Sequence, residues 1–174
     1  SRAIVMNGDL ITTVDVQDML SHHVKSDSLV SISLWPVKDP TRFGVADFDQ
    51  KKGLIRRFQE KPSLEEAYSN LINAGCYIIE TSVIQGLSTE FHSMERDVFP
   101  GIAESGRMGG YRYSGRFIDA GTPKSYLEAM VAAIEDNSFN IGGIVGTSWY
   151  ADPKMSKKGI ENSAVGMGLS LIHI

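Results

Sequence analysis

Apolar residues fall along this chain in short blocks whose spacing shifts between strand-like and helix-like periods. Residues 3–6 form an uninterrupted apolar run closed by Asn7-Gly8, which predicts a fully buried strand with a sharp turn at its tip, and Asp9 follows just past the strand's carboxyl end. Val16, Met19, Leu20, His23 and Val24 recur at helical spacing, predicting a helix over 14–25 capped by Thr13. Leu29, Val30, Ile32 and Leu34 mark a second buried strand within 28–37. A strand, helix and strand in that order predict a right-handed crossover in a parallel sheet covered on both faces.

The pattern then changes. Residues 43–49 and 54–60 read as two strands joined by the polar, glycine-ended Gln50-Lys51-Lys52-Gly53, a hairpin. A further strand is expected over 73–80, and helices over 95–104 and 123–136. The last opens on Pro123 and carries Tyr126, Leu127, Met130, Val131 and Ile134 on an apolar face. This organisation is an α/β fold with a Rossmann-like mixed sheet, in which ligands bind beyond the carboxyl ends of strands. After Asn137, Ile141-Gly142-Gly143-Ile144-Val145-Gly146 and Gly159-Ile160 through Gly166 space apolar residues and glycines as the opening coils of a left-handed β-helix over 138–168 do. The tail 169–174, Leu-Ser-Leu-Ile-His-Ile, looks like a translated sequencing adapter and is set aside from the fold.

With 174 residues, 42% of them hydrophobic and 22% charged, the chain has ordinary globular composition and enough length for one core and a small appendage. A net charge of −4 with mixed signs offers no field for nucleic acid or an anionic membrane surface. No apolar run is long enough to span a membrane, and the start leads straight into a strand, so cytoplasm is the expected compartment. The lone Cys76 is expected in the core.

Candidate chemistry gathers where strands end. Asp9, Lys61 within Glu60-Lys61-Pro62, and Asp119 within Phe117-Ile118-Asp119-Ala120-Gly121-Thr122-Pro123 put two carboxylates and a lysine at strand tips. Magnesium-dependent phosphoryl or nucleotidyl transfer asks for this combination, since the metal takes oxygen ligands and the phosphate takes a fixed positive charge. Each segment has a plain reading too: Asn7-Gly8-Asp9 as a polar turn, Glu60-Lys61-Pro62 as a solvated strand end, and Asp119 or Thr122 as a cap for the following helix. Arg56 and Arg57 read as solvent-facing charge, and His22, His23, His92, Trp35 and Trp149 as surface or core residues.

The order of five segments carries more than any one of them. Val5 to Asp9, Arg42-Phe43-Gly44-Val45 leading to Phe58-Gln59-Glu60-Lys61-Pro62, Asn73-Ala74-Gly75-Cys76-Tyr77, Glu95 to Pro100, and Phe117 to Pro123 together resemble the nucleotide-sugar pyrophosphorylases, the sugar-1-phosphate nucleotidylyltransferases. The resemblance implies an enzyme that couples a nucleoside triphosphate to a sugar 1-phosphate and releases pyrophosphate. It implies that Asp9 and Asp119 hold Mg2+, that Lys61 binds the sugar's phosphate, that Glu60 and Asn73 read sugar hydroxyls, and that Gly8, Gly44 and Gly75 allow close backbone approach. The attacking phosphate is already an anion, so no general base is required. The family's glycine-rich triphosphate loop has no counterpart in these residues. The expectation is therefore a chain covering the C-terminal part of a nucleotidyltransferase domain over 1–137, inactive by itself. Phe117 stands where many relatives have Trp. The alternatives are a regulatory relative that only binds a nucleotide sugar, and a glycosyltransferase of related architecture; retention of Asp9, Lys61 and Asp119 together favours the enzyme. Mannose or glucose 1-phosphate is the expected sugar by analogy, while the base is open and so is a homo-oligomeric parent.

Overall fold

The computed structural model describes residues 1–135, which fall into a compact unit of residues 1–117 and a second unit beginning at Ile118. In chain order the elements are β1 (Arg2–Met6), β2 (Leu10–Thr12), α1 (Val16–Lys25), β3 (Val30–Pro36), β4 (Gly44–Asp49), β5 (Leu54–Glu60), β6 (Leu71–Glu80) and α2 (Thr81–Gln85). A π-helical turn (Met94–Val98) then runs into α3 (Phe99–Glu104), followed by β7 (Met108–Arg112), β8 (Phe117–Asp119) and α4 (Pro123–Glu135).

The main sheet has the order β1-β6-β3-β7-β5-β4. It is mixed, as expected, but its strand–helix–strand opening is not a pair of neighbouring parallel strands. Strands β1 and β3 both run antiparallel to β6, which lies between them, and the parallel ladder is β3 with β7. The reason is burial: Ile72, Ala74, Cys76 and Ile78 of β6 are fully buried and Tyr77 and Ile79 nearly so. A strand apolar on both faces belongs inside a sheet. One face packs Tyr77 and Ile79 with Ile32, Leu34 and Phe99 of α3; the other packs Cys76 and Ile78 with Met19 of α1 and Tyr111.

Strand β1 corrects the expectation of a fully buried strand. It occupies the sheet edge, and Ile4, Val5 and Met6 are 54%, 41% and 45% exposed. An apolar run announces a strand, but its burial depends on having a neighbour on each side. Helix α1 begins later than expected because Asp15, not Thr13, caps it: one carboxylate oxygen accepts from the amides of Gln17 and Asp18, both at 2.9 Å. Thr13 instead exchanges hydrogen bonds with Arg116, its amide donating to the Arg116 carbonyl and its hydroxyl accepting from the Arg116 amide at 2.9 Å. On α1, Met19 and His23 are buried, while Val24 is exposed.

The β4–β5 hairpin forms as read, with Gly44 opposite Glu60 and Asp49 opposite Leu54. Arg56 and Arg57 lie on its solvent side, paired with Asp49 at 2.7 Å and Asp47 at 3.1 Å. The helix expected over 95–104 is split, since Pro100 near the start of α3 has no amide to continue a helical ladder from the π turn. Strand β7 is not among the elements the sequence pattern predicts, and its Gly109-Gly110 pair is poor strand-forming sequence. A side chain on Gly110 would collide with Phe48 and Leu34, so closeness of packing selects glycine there. In the second unit Thr122 caps α4 through the Ser125 amide at 3.1 Å. The helix buries Ala129 and Ala132 and exposes Tyr126, Leu127 and Val131, so these three lie off its buried face. The boundary at 137, the β-helix coils over 138–168 and the adapter-like tail over 169–174 lie outside the described residues.

Candidate functional site

The site is built around an irregularity in β6. Ile32 of β3 faces Tyr77, yet Leu34 faces Asn73, so β6 carries extra residues between those positions. Gly75 takes φ +70° inside this bulge, a left-handed conformation that favours glycine. Polar groups released from the ladder find partners nearby: the Gly75 amide donates to Asn73 Oδ1 at 3.0 Å and the Cys76 amide to Ser33 Oγ at 3.2 Å. The Gly75 carbonyl accepts from the Asn7 amide at 2.9 Å, which ties the bulge to the turn after β1. A side chain on Gly75 would come within 2.8 Å of Asn7 Nδ2.

Tyr77 closes the cluster, a residue to which its sequence segment assigned no role. Its hydroxyl accepts from Asn73 Nδ2 at 3.0 Å and donates to Asn7 Oδ1 at 3.5 Å. Burial pushes the phenol up to about 12; Glu95 and Glu60 push the same way, against the two asparagines. Asn73 and Tyr77 are four apart on one strand, and that spacing is the signal that could have singled Tyr77 out.

Glu60 ends β5 across the ladder from Gly44, and Lys61 follows it. The Lys61 amide donates to the Phe43 carbonyl at 3.0 Å, and the lysine adopts φ +48°. Its ammonium lies 3.8 Å from Glu60 Oε1 with more than half of the side chain exposed. Burial raises the Glu60 carboxyl above its usual range, helped by Glu95 and opposed by Lys61 and Arg96. A Cβ on Gly44 would collide with the Phe58 ring and lie 3.0 Å from Glu60 Oε2, so glycine here admits its own cross-strand neighbours. The described geometry thus gathers Asn7, Asn73, Gly75 and Tyr77 in one cluster and Gly44, Glu60 and Lys61 in another, with Glu60 and Glu95 acting electrostatically on Tyr77.

Asp9 follows the Asn7-Gly8 turn in the first unit, exposed and accepting no hydrogen bond among the described residues. Gly8 has open space where a side chain would be. In the second unit, Asp119 Oδ1 accepts from the Gly121 amide at 3.0 Å, leaving Oδ2 without a described partner. Carboxylate oxygens uncommitted to protein donors suit a hard divalent cation that also takes phosphate oxygens and water. Within the described residues no trio of His, Cys, Asp and Glu side chains is grouped for a metal.

Comparison with known proteins places these clusters in context. Residues 1–136 match the model of the Nucleotidyl transferase family. The chain belongs to that family. Among relatives, mannose-1-phosphate guanyltransferase beta-A of Xenopus laevis is 32% identical over 72% of this chain and 34% of its own length. The mannose-1-phosphate guanylyltransferase catalytic subunit beta of Danio rerio is 33% identical over the same shares. This member of the family therefore spans about a third of the length of the curated relatives it matches. Among solved structures, a putative glucose-1-phosphate thymidylyltransferase from Bacillus anthracis, in complex with a sucrose, superposes with a TM-score of 0.63 at 26% identity over 78% of this chain and 56% of that one. HddC from Yersinia pseudotuberculosis complexed with GMP-PN gives 0.58 at 29% identity over 74% and 54%.

Proposed function

We propose that this chain supplies the sugar-phosphate side of a nucleotidyl transfer from a nucleoside triphosphate to a sugar 1-phosphate, yielding an NDP-sugar and pyrophosphate. The observation that carries the reading is Lys61, an exposed ammonium at the end of β5 whose backbone is pinned in the left-handed region beside a partly buried acid, Glu60. A lysine so placed is a point charge for a phosphate; Glu60 and Asn73 are then the groups for sugar hydroxyls, next to Gly44 and Gly75. Lys61 orients the sugar phosphate, whose oxygen attacks the α-phosphate in line, so that catalysis is positioning and charge stabilisation. Asp9 and Asp119 would hold Mg2+, with Gly8 keeping the turn beside Asp9 open. When bound, the ion supplies charge neutralisation at the triphosphate.

Mannose 1-phosphate is the favoured substrate and guanosine triphosphate the favoured donor, on the support of the guanylyltransferase relatives and the neighbour complexed with GMP-PN. Among the described residues no helix is long and apolar enough to cross a membrane; we place the reaction in the cytoplasm, where triphosphates and magnesium are supplied. The test is calorimetric titration of the chain with mannose 1-phosphate, glucose 1-phosphate and inorganic phosphate. Saturable binding of a sugar 1-phosphate in preference to phosphate, weakened about ten- to a hundredfold in Lys61→Ala, is the expected result. Binding left at wild-type affinity in Lys61→Ala would rule out this assignment of the lysine.

A further inference from the structure

We infer that Tyr77 is a positioning residue that couples the Asn7-Gly8-Asp9 turn to Asn73, so that the metal side and the sugar side of the site are held by one buried hydroxyl. The inference rests on the sugar-phosphate reading above and adds to it how the two sides are kept in register.

Tyr77 is 4% exposed and sits on β6, the strand next to the β1 edge, with Val5 of β1 beside it on one side and Ile32 of β3 on the other. Its ring packs against Phe99 at 5.5 Å between centroids, which leaves the phenol little freedom. The hydroxyl has one proton to give and lone pairs to receive, and the described contacts use both: it receives from Asn73 Nδ2 and gives to Asn7 Oδ1. That choice orients both amides. Asn73 must turn Oδ1 toward the Gly75 amide, and Asn7 must turn Oδ1 inward while its backbone amide grips the Gly75 carbonyl. The edge strand β1 ladders with β6 as far as Met6 opposite Cys76, and beyond it these polar links fix Asn7 at the start of the turn. A phenylalanine at 77 would keep the ring packing and release both asparagines.

The experiment compares the 174-residue chain with Tyr77→Phe and, because that core change could impair folding, with Asn7→Ala, which removes the acceptor and leaves the phenol in place. In both variants, amide exchange at Asn7 and Gly75, read by NMR, is expected to quicken about tenfold while the β4–β5 ladder keeps its protection. Affinity for mannose 1-phosphate, measured well below either melting midpoint, is expected to fall about fivefold or more in each single variant. Tyr77→Phe added to Asn7→Ala should then cost clearly less than it does alone. Unchanged exchange at Asn7 and Gly75, unchanged affinity of the folded variants, or strictly additive losses would each overturn the coupling. A wild-type chain that binds no sugar 1-phosphate overturns the sugar-site reading and the use assigned to Tyr77 with it. Intact wild-type binding with an indifferent Tyr77→Phe overturns this inference alone.

Discussion

The Lys61 amide donates to the Phe43 carbonyl at 3.0 Å, and this bond holds a lysine at φ +48° directly before a proline. Phe43 is itself anchored, its ring edge-on to Phe117 at 6.1 Å, with Phe117 in turn stacked on Trp35 at 6.3 Å. The backbone from which the lysine side chain springs is thus tied to an aromatic cluster. A left-handed backbone costs a non-glycine residue about 1–2 kcal/mol. Lys61→Gly should therefore melt higher than Lys61→Ala, by about 1 kcal/mol in denaturant titration, although both lose the charge. Equal stabilities would mean that the backbone at 61 is relaxed in solution.

The same lysine is expected to dominate phosphate affinity. Charge-assisted hydrogen bonds contribute about 1.5–3 kcal/mol, so Lys61→Ala should weaken sugar 1-phosphate binding by about ten- to a hundredfold. Lys61→Arg should recover part of it. In a full-length protein carrying these residues, the Michaelis constant for the sugar phosphate should rise far more than that for the triphosphate, and equal effects on both would reassign the lysine.

Gly75→Ala meets two penalties at once, a φ of +70° and a contact of 2.8 Å with Asn7 Nδ2. A loss of about 1–3 kcal/mol is expected, read as a lower denaturation midpoint, together with weaker sugar-phosphate binding because Asn7 is displaced. Gly8→Ala, where the space is open, should leave stability within about 0.5 kcal/mol.

His23 gives a pH dependence with a definite sign. It is buried on α1, with Nδ1 2.8 Å from Ser31 Oγ and Nε2 3.4 Å from Glu80 Oε1, and Arg2 shares the same carboxylate at 2.6 Å. Burial lowers its pKa below the ordinary value of 6.5, outweighing the upward pull of Glu80. Between its folded pKa and 6.5 the unfolded chain binds more protons than the folded one. The contribution is fully present above 6.5 and is lost as pH falls from there toward the folded pKa, with a slope of at most about 1.4 kcal/mol per pH unit. Melting temperature should fall on going from pH 7.5 to 5.5, and His23→Gln should flatten that fall. An unaltered slope in the variant would assign the pH dependence to other groups.

If Asp9 and Asp119 share one cation, Mn2+ substituted for magnesium should broaden NMR signals around both residues at once. Asp9→Asn and Asp119→Asn should each abolish both effects. Broadening confined to one of the two would separate them into independent weak sites.

What the amino-acid order determined by itself was local. Turn chemistry at Asp49 to Gly53 set the hairpin and the pairing of Gly44 with Glu60, and strand-tip placement of Lys61 followed from it. The ordered segments around Asp9, Lys61, Asn73 and Asp119 were enough to indicate the family, because each is contiguous in the chain. Tertiary structure decided what depends on neighbours distant in sequence. The insertion of β6 between β1 and β3 is not legible in a strand–helix–strand pattern, which records direction but not adjacency, and so the apolar run of β1 predicts a buried strand where the sheet leaves an edge. Thr13 is engaged by the backbone of Arg116, more than a hundred residues away, and Asp15 caps the helix in its place. The bulge at Gly75 and the bridging by Tyr77 arise from mismatch between the β3 and β6 registers and from the arrival of Asn7 beside them. Periodicity sees which faces a segment could bury; only the folded sheet brings the partner that makes a buried hydroxyl at residue 77 more than a core tyrosine.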